Sequence, residues 1–129
     1  MSEIITDKLT GKTSAGDVTI TSEGGAVTMQ LQQGVAKAWI NFDGTGTIAI
    51  SDSFLVSSIS DGGTGIYTVT SSNAFSNANY ATPSMTRNNY IVGKFGTVTT
   101  TAIIVENRTN GGSETDSPYV CVAKLGDLA

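Results

Sequence analysis

The sequence of 129 residues contains no histidine, one cysteine and two prolines, and only 14% of its residues are charged. The lack of histidine excludes imidazole catalysis and the common zinc sites, and a single cysteine excludes an internal disulfide. With a net charge of −4, the chain has no electrostatic basis for binding nucleic-acid phosphates. No stretch approaches the ~20 apolar residues of a membrane span, and residues 1–8 lack the features of a signal peptide. We therefore expect a soluble protein made in a cytosol, with no cofactor or metal and with neither nucleic acid nor membrane as a partner.

Residues typical of strands and turns are abundant. Threonine, glycine, serine and asparagine account for 56 of the 129 residues, a composition that is poor for helices. Helical periodicity is absent, whereas short runs of alternating apolar and polar residues lie between turn clusters that recur every eight to twelve residues. This pattern predicts an all-β protein, an antiparallel β-sandwich or jelly-roll-like domain with an extended N-terminal β arm.

The alternation also predicts where the strands lie. Ala38, Ile40 and Phe42 share one face of a strand with Ala36, and Trp39 lies on the other, so either face can be the core face. In an apolar run near the C-terminus, Cys121 is predicted to be a buried structural thiol. The expected strands are 18–21, 26–32, 35–42, 47–50 leading into 54–59, 66–71, 90–95, 97–106 and 119–125, with a long loop over 73–89.

Residues 1–34 differ from the rest of the chain. They contain no aromatic residue and few apolar ones, so they cannot bury enough surface alone to offset the entropy of ordering. We predict that residues 1–34 form an arm and hairpin that anchors the protein or pairs with another subunit, and that residues 35–129 form a β-sandwich knob. The alternative is a frayed terminus with an edge hairpin of the same domain. The candidate assembly contacts are Ile4, Ile5, Leu9, Val18 and Ile20.

Catalytic chemistry is not indicated, and we expect that the protein is not an enzyme. Serine chemistry would need a base beside the nucleophile, and most carboxylates lie in predicted turns, where aspartate is favoured for backbone reasons. Aromatic and polar residues in predicted loops leave sugar binding open as a separate possibility. The candidate residues of exposed ligand loops are Tyr80, Asn88, Arg108 and Asn110.

Several runs in residues 34–129 resemble, in order and spacing, the C-terminal β domain of structural proteins of tailed phages, notably marine and cyanobacterial phages. These runs are AKAWINFDGTG (36–46), SDSFLVSSISD (51–61), GIYTVT (65–70), NANYA (77–81) and VCVAKLGDL (120–128). The chain departs from the family at Ser51, Leu55 and Ile66, where Arg, Asn and Asp are common. The resemblance implies a component of the virion, described in the family as tail-fibre or virion structural protein, with trimeric assembly and without catalysis.

The position of the resemblance in the chain favours one role in the particle. About 34 residues precede the domain, which suits a small protein seated on a larger surface better than a fibre with a long shaft. We therefore expect a capsid decoration, or cement, protein that forms homotrimeric knobs on the head and binds the major capsid protein or another virion protein. The alternative is a short tail-fibre or fibre-tip protein that binds a host surface glycan through loops 73–89 and 107–118.

Overall fold

A computed structural model describes residues 3–12, 18–22, 24–25, 27–87, 91–95 and 98–129, with residues 91–95 described for their backbone. The chain divides into two compact units, residues 1–35 and residues 36–129. The described elements are strands and one short helix, so the predicted all-β class is confirmed. Among the described residues, no helix is both long enough and apolar enough to span a membrane.

The first unit contains a small antiparallel hairpin. Strand β1 (Thr19–Thr21) pairs with strand β2 (Thr28–Gln30), and the four-residue helix α1 (Leu31–Gly34) follows directly. The predicted hairpin is therefore present, but its second strand ends two residues earlier than expected. Leu31 still donates its N–H to the Val18 carbonyl at 2.7 Å, so the hydrogen bonding between the two strands extends to the first residue of the helix.

The second unit is an antiparallel sandwich of two sheets. One sheet has the order β4-β3-β10-β7 and the other the order β5-β6-β9-β8. The strands of the first sheet are β3 (Ala38–Asp43), β4 (Ala49–Phe54), β7 (Ser84–Thr86) and β10 (Val120–Lys124). Those of the second are β5 (Val56–Gly63), β6 (Ile66–Ser71), β8 (Ile91–Phe95) and β9 (Ala102–Arg108).

The core lies between the two sheets and is built mainly by alternation of inward and outward side chains along four central strands. Phe42 of β3 meets Tyr67 of β6 edge to face, with ring centroids 5.0 Å apart, and both side chains are fully buried. The other members of the cluster are Ile40, Val69, Ile103, Val105, Val120 and Val122. The inner face of β3 is thus the face of Ala38, Ile40 and Phe42, which resolves the ambiguity left by Trp39.

Three predicted segments differ from the structure for local reasons. The predicted strand 47–50 leading into 54–59 is divided at Leu55, whose φ of +51° accompanies the passage from β4 in one sheet to β5 in the other. The strand predicted from residue 97 begins at Ala102, because Thr99 Oγ1 accepts the Ala102 N–H at 2.9 Å and closes a tight turn. The predicted loop 73–89 contains β7, which follows Pro83 and pairs with β10.

Candidate functional site

The predicted assembly contacts are apolar side chains of the first unit, all exposed except Val18, which is partly buried. Ile4, Ile5 and Leu9 are 87%, 85% and 60% exposed and lie in the non-strand segment 3–12. Val18 and Ile20 belong to the hairpin, where they share one face because they are two residues apart on an extended strand. The structure thus brings Val18 and Ile20 together and places Ile4, Ile5 and Leu9 outside the hairpin.

The hairpin is amphipathic across its two faces. Ile20 lies directly opposite Met29, and these side chains are 46% and 51% exposed. The register puts their neighbours two residues along each strand on the same side, which we call the hairpin face: Val18, Ile20, Val27, Met29 and Leu31. The opposite face carries Thr19, Thr21, Thr28 and Gln30. A two-stranded hairpin is marginally stable on its own, and exposed apolar faces of this kind often occur at interaction sites.

A second apolar surface lies on the outer face of the β4-β3-β10-β7 sheet. A groove of about 300 Å³, which we call the outer groove, is lined by Trp39, Pro83, Ser84, Met85, Cys121 and Ala123, and at its floor by the core residues Ile40 and Val122. Trp39 is paired with Ala123 and Cys121 with Met85, so the lining comes from three adjacent strands. Next to the groove, Phe54 is opposite Trp39 and is 49% exposed. Sequence reasoning missed this surface because β7 was hidden in a predicted loop.

Cys121 is not the buried thiol that the sequence predicts. It is partly exposed on the outer face, because Val120 and Val122 occupy the two inward positions around it. The apolar run concealed this orientation, since both faces of β10 carry apolar residues at this end of the sheet.

The predicted ligand-loop residues do not form one site. Tyr80 is half-buried rather than exposed: its ring stacks on Phe75 at 4.3 Å, and its hydroxyl donates to the Thr99 and Ala102 carbonyls at 3.0 and 3.1 Å. Burial raises the pKa of this hydroxyl. The prediction of an exposed Tyr80 is therefore wrong, because the side chain fastens its loop to the start of β9.

Arg108 lies at the other end of β9 from the Tyr80 contact. The two ends of this strand, Ala102 and Arg108, are about 20 Å apart at 3.4 Å per residue. Arg108 donates to the Gly112 carbonyl at 2.7 Å and forms ion pairs with Glu106 and Glu114. Its guanidinium thus holds the local loop, whereas Asn110 in that loop is exposed and Asn88 lies outside the described residues.

The carboxylates in turns act on their own backbone, as predicted. Asp43 accepts the Thr45 N–H at 2.8 Å and the Thr45 hydroxyl at 2.6 Å, and these bonds lower the pKa of the Asp43 carboxyl. Asp61 accepts the Gly63 N–H at 2.8 Å. Within the described ranges, no group of three or more acidic, cysteine or histidine side chains is placed to hold a metal ion.

One end of the sandwich is held by a polar cluster around Asp116. Its carboxylate accepts the Gly65 N–H at 2.7 Å and the Tyr67 hydroxyl at 3.0 Å. Burial and the neighbouring Asp116 charge raise the pKa of Tyr67. Asn107 is fully buried there and donates to the Thr115 carbonyl at 2.6 Å. These bonds tie the turn at Gly65 and the loop containing Thr115 and Asp116 to β6 and β9, which is a structural function.

A buried lysine fastens the two sheets together on the side of Tyr80. Lys124 is 1% exposed, and its ammonium donates to the Val69 carbonyl, the Ser71 hydroxyl and the Thr101 carbonyl at 3.0, 2.9 and 3.1 Å. It also lies 5.6 Å from the centre of the Tyr80 ring. Desolvation lowers the pKa of Lys124 to about 8. Lys124 follows Val120 and Val122 at intervals of two residues, and this spacing was the signal in the sequence that could have identified its inward position.

Comparison with family models, with curated proteins and with solved structures found no match to this chain. The features that describe the molecule are thus those of the structure itself: an all-β sandwich preceded in the chain by an amphipathic hairpin.

Proposed function

We propose that this chain is a structural protein of a phage particle, most specifically a capsid decoration protein that forms homotrimeric knobs on the head surface. In this role the first unit binds the major capsid protein or a neighbouring copy, and the sandwich projects outward. The protein is made in the host cytoplasm, becomes part of the virion and acts by binding rather than by catalysis. The resemblance of runs in residues 34–129 to phage structural proteins supports this biological setting.

The observation that carries the proposal is the hairpin face. Ile20 and Met29 form a directly opposed apolar pair that is about half exposed, on a hairpin too small to provide a core of its own. Ile4 and Ile5 add two nearly fully exposed side chains in the preceding segment. An assembly protein needs such a surface, because burying it on a partner supplies the free energy of docking.

The sandwich supports the same proposal in a different way. Its core cluster draws every member from residues 40–122 of the second unit, so the knob has its own hydrophobic centre. The ends are tied by side-chain hydrogen bonds, such as those of Asp116 with Gly65 and Tyr67. A rigid body of this kind projects from a shell without rearranging when its arm docks.

The alternative of a fibre tip that binds a glycan is less well supported by the geometry. Tyr80 and Arg108 are engaged in internal contacts at opposite ends of β9, so the predicted ligand loops do not converge on one platform. Location on the particle separates the two roles, because decoration proteins occur in many copies on the head and fibre tips in few copies at the tail.

The test is incorporation of full-length variants into particles of the encoding phage. Met29→Gln and Ile20→Gln place an amide on the hairpin face, whereas Thr28→Gln and Thr19→Gln make the matched change on the opposite face. We expect the first pair to be lost from purified particles and the second pair to be retained, as measured by quantitative mass spectrometry. Circular dichroism of each free protein checks that the sandwich is folded.

Three outcomes would contradict the proposal. Equal incorporation of all four variants would remove the hairpin face from assembly. Immunogold labelling confined to a few copies at the tail would replace decoration by the fibre-tip role, and absence of the protein from purified particles would refute a virion function altogether.

A further inference from the structure

We infer that Asn110 is a site of spontaneous deamidation, at which water converts the side-chain amide to a carboxylate without the help of an enzyme. Asn110 is followed by Gly111, and it is the only asparagine in the sequence that precedes a glycine. This modification goes beyond the proposed assembly role and does not depend on it, because it follows from the chemistry of one exposed turn.

The reaction needs a side-chain amide, the backbone nitrogen of the next residue and water. The nitrogen of Gly111 loses its proton and attacks the side-chain carbonyl carbon of Asn110, so that a C–N bond forms and ammonia leaves, giving a cyclic imide. Water then opens the imide at either carbonyl, and the products are aspartate and isoaspartate. Glycine in the second position favours the attack, because it has no Cβ to crowd the nitrogen and its backbone adopts many conformations.

The turn around Asn110 leaves both reacting groups accessible. Asn110 and Gly111 are the two central residues of a turn that is closed by a bond from the Gly112 N–H to the Thr109 carbonyl at 2.9 Å, and both are exposed. Within the part of the chain that the structure describes, neither the Asn110 side chain nor the Gly111 N–H has a hydrogen-bond partner. The amide carbon is therefore open to attack, and the attacking nitrogen is not held by another acceptor.

The structure distinguishes this pair from Asp43-Gly44, where the same cyclisation would isomerise an aspartate. Gly44 is buried, and its N–H donates to the Ser117 carbonyl at 2.9 Å, so the attacking nitrogen is engaged. The Asp43 carboxylate accepts the Thr45 N–H and the Thr45 hydroxyl, so its position is fixed as well. Ring closure at this pair would break all three bonds.

The pair Asp61-Gly62 is also held in place. Asp61 accepts the Gly63 N–H at 2.8 Å, which directs its carboxylate past Gly62 to the next residue. Gly62 lies in strand β5, and a Cβ built on it would be 3.0 Å from the Ile66 side chain, so the space around this residue is already filled. Of the three pairs, only Asn110-Gly111 combines an amide side chain with two unengaged reacting groups.

Deamidation changes the charge and the backbone of the turn but not the core. The net charge goes from −4 to −5, because an uncharged amide becomes a carboxylate. In the isoaspartate product the main chain runs through one more carbon, inside the turn that the bond between Gly112 and Thr109 closes. The residues of the core cluster lie outside this turn, so we expect the sandwich to keep its stability while the turn changes shape.

Peptide mapping of the full-length protein tests the inference. The folded protein is incubated at neutral and at mildly alkaline pH and then digested with trypsin under conditions that limit further conversion. Cleavage after Arg108 and Lys124 releases the peptide 109–124, which contains Asn110 as its only asparagine and has no glutamine. Any change from amide to acid in the mass of this peptide is therefore assigned to Asn110.

Two full-length variants serve as matched controls. Gly111→Ala adds a Cβ that would meet only the Thr109 hydroxyl, at 3.7 Å, so it fits the turn but crowds the attacking nitrogen. Asn110→Gln keeps an exposed amide but moves it one carbon further from the backbone nitrogen. Urea unfolding checks that both variants are as stable as the wild-type protein.

We expect the wild-type peptide 109–124 to convert with time into two acidic products that separate by chromatography, aspartate and isoaspartate. Conversion should be faster at the higher pH, because the Gly111 nitrogen must lose its proton before it attacks. Gly111→Ala should slow the conversion several-fold, and Asn110→Gln should show none over the same period. Isoelectric focusing of the intact wild-type protein should show a more acidic band that grows at the same rate.

Three results would overturn the inference. An unchanged peptide 109–124 from the folded protein, after a time in which the urea-unfolded protein is fully converted, would mean that the folded turn blocks the reaction. Equal rates for wild type and Gly111→Ala would mean that the Gly111 nitrogen is not the attacking group. Faster modification of the peptide 38–87, which carries both Asp-Gly pairs, would mean that hydrogen bonding does not decide which pair reacts. Each of these results leaves the proposed function standing, because incorporation into particles is measured separately.

Discussion

The buried Lys124 gives the sharpest stability prediction, because its charge is held between the sheets by three neutral oxygen acceptors. Desolvation lowers its pKa in the folded protein to about 8, against 10.5 in the unfolded chain. Above the folded pKa, the unfolded state therefore binds more protons than the folded state does. Stability rises with pH wherever that holds, so this lysine makes the protein more stable as the pH increases through and above 8.

The expected size follows from the two pKa values. Between about pH 7.5 and about pH 9.5 the contribution of Lys124 to the free energy of unfolding grows by about 2 kcal/mol. With an m-value of about 2 kcal/mol/M, this corresponds to roughly 1 M in the urea midpoint. The stability measurements are kept below pH 10 because of two tyrosines. Burial raises the pKa of Tyr67 and Tyr80 in the folded protein, so at higher pH these groups ionise first in the unfolded chain, and that lowers stability.

The Lys124→Met variant isolates the contribution of Lys124 to the pH dependence of the free energy of unfolding. Methionine retains much of the aliphatic length but leaves the Val69, Ser71 and Thr101 oxygens without the ammonium donor, which costs about 1–3 kcal/mol at neutral pH. Lys37, whose pKa is also lowered by burial, is unchanged in the variant, so its contribution cancels in the difference. We expect the stability gap between wild type and variant to widen by about 2 kcal/mol over the pH range.

Urea unfolding followed by the fluorescence of Trp39, the only tryptophan, measures both proteins at each pH. Parallel stability curves for wild type and Lys124→Met would refute the reasoning, because they would mean that the lysine titrates alike in the folded and unfolded states. A gap that narrows with pH would mean that the folded protein stabilises the charged form.

Two further predictions concern the frame of the sandwich and are measured by thermal or urea unfolding. Gly65→Ala should cost at least about 2 kcal/mol of stability, because φ is +70° and a Cβ would lie 2.6 Å from the Asn107 carbonyl oxygen. Gly46→Ala, at φ +59° with open space around it, should cost about 1 kcal/mol. Equal losses of stability in the two variants would contradict the steric argument. Phe42→Ala removes a fully buried ring and should cost about 3–5 kcal/mol of stability. The same change at the half-exposed Phe54 should cost below about 1 kcal/mol. A larger loss of stability for Phe54→Ala than for Phe42→Ala would contradict the assigned inner face of β3.

The sequence was most informative where one face of a strand is buried. Alternation predicted that Tyr67 and Val69 share a face of β6, and the structure confirms this. It was ambiguous for β3, because Trp39 makes both faces apolar and only the partner sheet decides which one is covered. The hairpin was predictable because alternating residues flank a glycine-containing turn, and its register is set by that turn.

The outer groove could not be predicted, because it depends on a tertiary pairing. Strand β7 has only three residues, of which Met85 alone is apolar, and it follows a proline in a loop rich in asparagine and serine. Such a segment has no periodicity of its own and becomes a strand by pairing with β10. For Lys124 the sequence did contain a local signal, because the alternation along β10 places it on the inward face with Val120 and Val122. Residue type argues against that position, since lysine is rarely fully buried.

The two faces of the hairpin have different roles in the proposed assembly. Thr19, Thr21 and Thr28 are β-branched, so they favour the extended backbone even when nothing covers the other face. The apolar face is confined to a few side chains, so in the proposed assembly each copy contributes only a small contact. If, as proposed, this contact is repeated over a particle surface, effective concentration makes the combined binding strong. We therefore expect a single hairpin substitution to reduce incorporation far more than it reduces the stability of the free protein, because the loss is multiplied over every copy in the assembly.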